Sequence, residues 1–137
     1  MYQTVKDGIV GILKGLGYQE SNEAWNMENA SENEYGNCFI LKALSGEVTG
    51  NSEQQADRFY DKQTWEVVIA FEQSSQNASI NMDAAQVAKD TILAKMDDPA
   101  SWISFAHMMK YQSWKMEETP TYFSLTITLN VVDVYTY

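Results

Sequence analysis

Tyr122-Phe123-Ser124-Leu125-Thr126-Ile127-Thr128-Leu129-Asn130-Val131-Val132-Asp133-Val134-Tyr135 decides the fold class. Phe123, Leu125, Ile127, Leu129 and Val131 alternate with Ser124, Thr126, Thr128 and Asn130. A period of two places the apolar set on one face of a strand and the polar set on the other. The run is longer than the usual strand of about 5–6 residues, so it predicts a sheet that something else extends or completes. Because catalytic chemistry is nearly absent from the rest of the chain, assembly is the better expectation than turnover.

Working back from that strand, Pro120 marks a turn, and His107 to Glu118 reads as the strand before it. Trp102, Ile103 and Phe105 form an apolar knot expected to be a short turn packed under the sheet. Asp97-Asp98-Pro99 closes a helix expected from about Asp83 to Met96, since the residue before a proline disfavours helix. Val87, Ile92 and Met96 are its core candidates. Arg58 to Gln73 is a long strand with Trp65, Val67, Ile69 and Phe71 on one face, and Cys38 to Leu44 is a shorter one.

The first segment reads as a helix from about Thr4 to Leu16, with Val5, Ile9, Ile12, Leu13 and Leu16 at helical spacing. Thr4 with Asp7 fits a capping box, and Gly17 is placed to end the helix in a left-handed conformation. Gly8, Gly11 and Gly15 share a face, and each costs a helix roughly 0.5–1 kcal/mol relative to Ala. They point either to a close backbone approach or to a marginal helix held by tertiary contacts.

Two polar stretches interrupt the elements. Gln19 to Gly36 carries Glu20, Glu23, Glu28, Glu32 and Glu34 without a base, and reads as an acidic loop with a short irregular strand near Trp25. Ser45 to Asp57 reads as a second loop, punctuated by Gly46 and Gly50 and bearing Glu47, Glu53 and Asp57. The expected order is therefore α-β-β-α-β-β: a single α+β domain over residues 1–137, two-layered, with helices on one face of a mainly antiparallel four-stranded sheet.

Nineteen acids against nine bases give a formal charge of −10 in 137 residues. Phosphate binding by counterion release needs clustered Lys and Arg, and Arg58 is the only arginine. Sequence-specific nucleic-acid binding is not expected. No apolar run approaches the length of a membrane span, and no basic-then-apolar leader opens the chain, so a soluble protein made in a cytoplasm is expected. Cys38, the only cysteine, is expected to be a buried strand residue without a disulfide partner in its own chain.

One Cys and one His cannot supply the usual four zinc ligands, and the acidic stretches lack EF-hand spacing. His107 is the only imidazole and has no nucleophile motif around it. No glycine-rich phosphate loop is present. No catalytic, metal or cofactor-binding residue is assigned, and the chain is not expected to be an enzyme. Tyr122, Tyr135 and Tyr137 are candidates for a subunit contact, since tyrosine is enriched at interfaces.

In size and element order, and in the opening Val5-x-x-x-Ile9-x-x-Ile12-Leu13-x-x-Leu16-Gly17-Tyr18 and the closing Tyr122-Phe-Ser-Leu-Thr-Ile-Thr-Leu, the chain resembles the tail-terminator (tail-completion) proteins of long-tailed bacteriophages. The resemblance covers nearly the whole chain and is one of pattern. It implies a virion protein, assembled in the host cytoplasm, that forms a homohexameric ring on the head-proximal end of the tail tube. Such a ring stops tube polymerisation and offers a surface to a head-completion or connector protein. Glu20, Glu23, Glu28, Glu32, Glu34, Glu47, Glu53 and Asp57 are then candidates to line a DNA-repelling lumen or to face a partner. The alternatives are another head–tail junction adaptor, a tube-like subunit, or a non-viral peptide-binding α+β module.

Overall fold

The computed structural model describes residues 2–20, 38–50, 58–72, 78–118 and 122–136. In chain order these form α1 (Tyr2–Gly15), β1 (Gln19–Glu20), β2 (Cys38–Gly50), β3 (Arg58–Glu72), α2 (Ala78–Asp97), α3 (Pro99–Trp102), β4 (Met108–Glu118) and β5 (Tyr122–Thr136). The architecture is α+β, with helices packed on a five-stranded sheet of order β1-β2-β3-β5-β4. β1 runs parallel to β2, and every other pairing is antiparallel. The expected four-stranded antiparallel sheet is corrected accordingly: Gln19 and Glu20 add a fifth, parallel strand against Cys38 and Phe39. Two residues are too few to show a period in the sequence. α3 is likewise an extra element, capped by the Asp98 carboxylate accepting from the Ala100 amide at 3.1 Å.

The sequence of β5 explains its central place. Its alternation sets Phe123, Leu125, Ile127, Leu129 and Val131 on the helix-covered face, all fully buried. Across the ladder they meet Phe71, Ile69, Val67, Trp65 and Gln63 of β3 in register. β3 and β4 run in the same direction with β5 between them. Same-direction strands need a crossover, which α2 and α3 supply. One apolar cluster joins these strand residues to Val5, Ile9, Ile12 and Leu13 of α1 and Ala85, Ile92, Leu93 and Met96 of α2. Fully burying one such side chain stabilises by about 1.5–3 kcal/mol.

α1 begins at Tyr2, so Thr4 lies inside the helix and the expected capping box does not form. Asp7 instead accepts from Gln3 Nε2 at 2.7 Å, one turn back. The end matches expectation. Gly17 has φ 97°, its amide donates to the Lys14 carbonyl at 3.0 Å, and the Tyr18 amide donates to the Leu13 carbonyl at 3.1 Å. That pair of bonds is a Schellman cap. Of the three glycines, Gly8 makes a close approach, to the ring of Phe105, while Gly11 and Gly15 have nothing near.

α2 starts at Ala78, earlier than expected, and Val87 is not a core residue but 65 % exposed. The buried stripe is Ala85, Lys89, Ile92, Leu93 and Met96, and Val87 falls on the other side of a 3.6-residue turn. A lysine inside the stripe conceals it from a reading by hydropathy. Of the apolar knot, Phe105 packs on the cluster, but Ile103 is 70 % exposed rather than under the sheet. His107 precedes β4 and donates its backbone N–H to the Val132 carbonyl at 2.7 Å.

Ser45 to Asp57 is not wholly a loop. β2 continues to Gly50, with Glu47 opposite Lys62. This part of the sheet runs past the apolar cluster, whose first β3 member is Trp65. Buried Trp65 donates its indole N–H to Gln63 Oε1 at 2.7 Å, and Gln63 donates onward to Asp61 Oδ2 at 2.7 Å. The core thus ends in a polar relay.

Candidate functional site

Strand order decides which backbone groups are open. β4 is the outermost strand on one side of the sheet. On the other side β1 covers β2 only at Cys38 and Phe39. Among the described residues, 40–50 of β2 therefore have an open edge as long as β4 itself. Among the described residues, β5 beyond Val132 also has no neighbour on the β4 side. An open edge is a row of unpaired amides and carbonyls, ready to pair with another strand. Two strands, β3 and β5, separate β2 from β4, and three successive antiparallel pairings make β2 and β4 run in opposite directions.

Both edge strands carry a bulge, and the two bulges flank one row of the sheet. Leu44 is the extra residue between Ala43, opposite Trp65, and Ser45, opposite Thr64. Gln112 is the extra residue between Tyr111, opposite Leu129, and Ser113, opposite Thr128. Leu129 is itself the partner of Trp65. A bulge shifts the side-chain alternation by one residue. That shift keeps Trp114 and Met116 on the helix-covered face with Met109 and Tyr111. Asn130 steadies the second bulge by donating its side-chain amide to Gln112 Oε1 at 3.3 Å.

Trp114 is held from above. Lys89 of α2 places its ammonium 4.0 Å from the centre of the indole ring and also lies 2.9 Å from Asp90 Oδ1. Its stem is buried while its head reaches the rim. Along the helix-free face, β4 begins basic and ends acidic: Lys110 and Lys115 come first, then Glu117. Glu117 accepts from Lys115 at 2.6 Å, and this bond raises the Lys115 pKa. β2 has the same polarity, Lys42 before Glu47, so an antiparallel partner strand meets complementary charge. The rest of this face is mixed: Thr126, Thr128 and Asn130 of β5 are half-buried and Ser124 is buried, beside buried Cys38, Val68 and Ala70 and half-buried Ile40.

Of the acidic residues singled out in the sequence, Glu20 lies half-buried in β1 and Glu47 exposed in β2. Glu23, Glu28, Glu32, Glu34, Glu53 and Asp57 lie outside the described residues, as do Tyr137 and the stretch near Trp25. Tyr122 and Tyr135 stand in β5 opposite Glu72 and Phe59, Tyr135 on the part of β5 that β4 leaves open. Cys38 is buried, as expected. His107 is exposed, with its ring edge-on to Tyr60 at 5.8 Å. Among the described residues no three His, Cys, Asp or Glu side chains gather into a metal-binding group, and no helix is long and apolar enough to cross a membrane. Leu44, Lys89 and Trp114 went unmarked in the sequence reading, because edge position is a property of strand order.

No family model matches the chain, and no curated protein matches it in sequence.

Proposed function

We propose that the chain is a ring-forming virion structural protein: a tail terminator that caps the head-proximal end of a phage tail tube, stops its polymerisation and presents the surface for head joining. It has no enzymatic role in this reading. The observation that carries it is the pair of open, oppositely directed edges on one sheet. A head-to-tail contact that uses two different surfaces of one subunit generates a closed ring when the rotation closes, and β4 of one copy against β2 of the next continues the antiparallel ladder without interruption. The resemblance of the opening and closing segments to those of tail terminators supports the specific reading. The charge of −10 suits a ring through which DNA passes without sticking.

Absolute mass in solution, by light scattering or native mass spectrometry across concentration, tests the reading. A discrete ring, six copies being the expected number, supports it. An open-ended polymer points instead to a tube subunit, and a strict monomer to a module that adds a partner peptide to one edge. Either of the latter overturns it.

A further inference from the structure

Six large apolar side chains are exposed among the described residues: Tyr2, Leu44, Val87, Ile103, Met108 and Trp114. Tyr2 is stacked on Trp65, with ring centroids 5.3 Å apart. Of the other five, Leu44 lies on the open edge strand β2, and Met108 and Trp114 lie on the open edge strand β4. Exposed apolar surface is thus concentrated where backbone pairing is also unsatisfied.

We infer that neighbouring copies are joined by Trp114 of one copy against Leu44 of the next, with Lys89 as the positioning residue that holds the indole at the edge. The inference rests on the ring reading and names the contact that builds it. Tryptophan is among the residues most enriched at the energetic centres of interfaces. Here its rotamer is already restrained by the Lys89 ammonium 4.0 Å from the ring centre, so less ordering remains to be done on association.

The sheet register supplies the fit. Trp114 is level with Leu41 through Ile127 and Val67, and Lys110 is level with Ser45 through Asn130 and Thr64. Sliding the neighbour by two rows brings Trp114 to the Leu44 bulge. The same slide sets Lys110 beside Glu47 on the helix-free face, an opposite-charge pair. A stagger of this kind accompanies the strand tilt, about 35–45°, that a closed sheet requires. Two independent features, an apolar anchor and a charge pair, therefore select one register.

The test compares the association constant of the wild-type protein with those of Leu44→Asp, Trp114→Ala and Val87→Asp, each checked for an unchanged circular dichroism spectrum. Leu44 is an exposed bulge residue, so Leu44→Asp keeps the test alive if Trp114→Ala does not fold. The expected result is a rise in dissociation constant on the order of 30-fold or more for the two edge variants, and none for Val87→Asp. Lys110→Glu weakens the ring, and adding Glu47→Lys to it restores association. Lys89→Arg, which keeps a cation over the indole, preserves association, whereas Lys89→Met loses it at an unchanged melting temperature. A wild-type oligomer that is indifferent to Leu44→Asp and to the charge swap overturns this inference and leaves the ring reading standing. A wild-type monomer overturns both.

Discussion

Gly8 of α1 lies directly against the ring of Phe105, so closely that a Cβ built on the glycine would overlap the ring carbons. The contact seals the α1 helix to the turn that follows α3. An alanine at Gly8 gains helix propensity of about 1 kcal/mol but forces the ring out of a packed site, at a cost of about 1–3 kcal/mol. Gly8→Ala is therefore expected to destabilise on balance, and Gly8→Ala with Phe105→Leu to recover part of the loss.

Gly11 provides the matched control, because nothing lies within 4 Å of a Cβ placed there. Gly11→Ala is expected to stabilise by roughly 0.5–1 kcal/mol. Urea midpoints of the two single variants should move in opposite directions. A shift of both the same way would contradict the packing described for Gly8.

The relay from Trp65 through Gln63 to Asp61 satisfies an indole N–H in a side chain with no solvent exposure. Gln63→Met keeps the size and removes the acceptor. It is expected to cost about 1–3 kcal/mol, the penalty of a buried unpaired donor. Trp65→Phe in the same background removes the orphan donor, and a double-mutant cycle by chemical denaturation should show the two changes to be non-additive.

Stability is expected to fall on the alkaline side. Burial pushes the Cys38 thiol above its ordinary 9.0, against an opposing backbone hydrogen bond, and burial pushes the Tyr18 phenol above its ordinary 10.0. Both groups hold their proton more tightly folded than unfolded. Their contribution is therefore complete below the unfolded values and is lost as pH rises through the folded ones. Melting temperature should be flat with respect to these groups near neutrality and decline above about pH 9, with Cys38→Ala delaying the onset.

An acidic ring around passing DNA predicts no retention of duplex DNA by the purified protein, even at low salt, where electrostatic attraction is least screened. Gel-shift titration measures this directly, and tight binding would remove the DNA-repelling role from the reading.

The sequence showed most clearly those elements whose faces differ in polarity. β5 alternates apolar with polar residues, so a period of two is written into it, while β3 is buried on both faces from Val67 to Phe71 and reads there as a continuous apolar run. Residues 45–50 of β2 pass the apolar cluster and need no alternation, which is why Gly46 and Glu47 looked like loop residues. Lys89 broke the α2 stripe, and Gln112 shifted the β4 alternation by one. The edges themselves were illegible, because nothing local to β4 states that β5 will lie between it and β3. Fine geometry at Leu44 and Trp114 depends on that order and became visible only with the sheet assembled.

The β3–β5 ladder has a consequence in time as well as in space. Its partners, Arg58 with Thr136 at one end and Glu72 with Tyr122 at the other, come from far apart in the chain. The two hairpins, β2 with β3 and β4 with β5, close short loops and can form early. The central seam pays the entropy of a long loop before its contacts return anything. Folding should therefore be limited by the docking of two preformed hairpins. Until that seam closes, each hairpin shows the other a bare inner edge that a second molecule can fill. Refolding yield should accordingly drop with protein concentration more steeply than the stability of the finished fold would suggest.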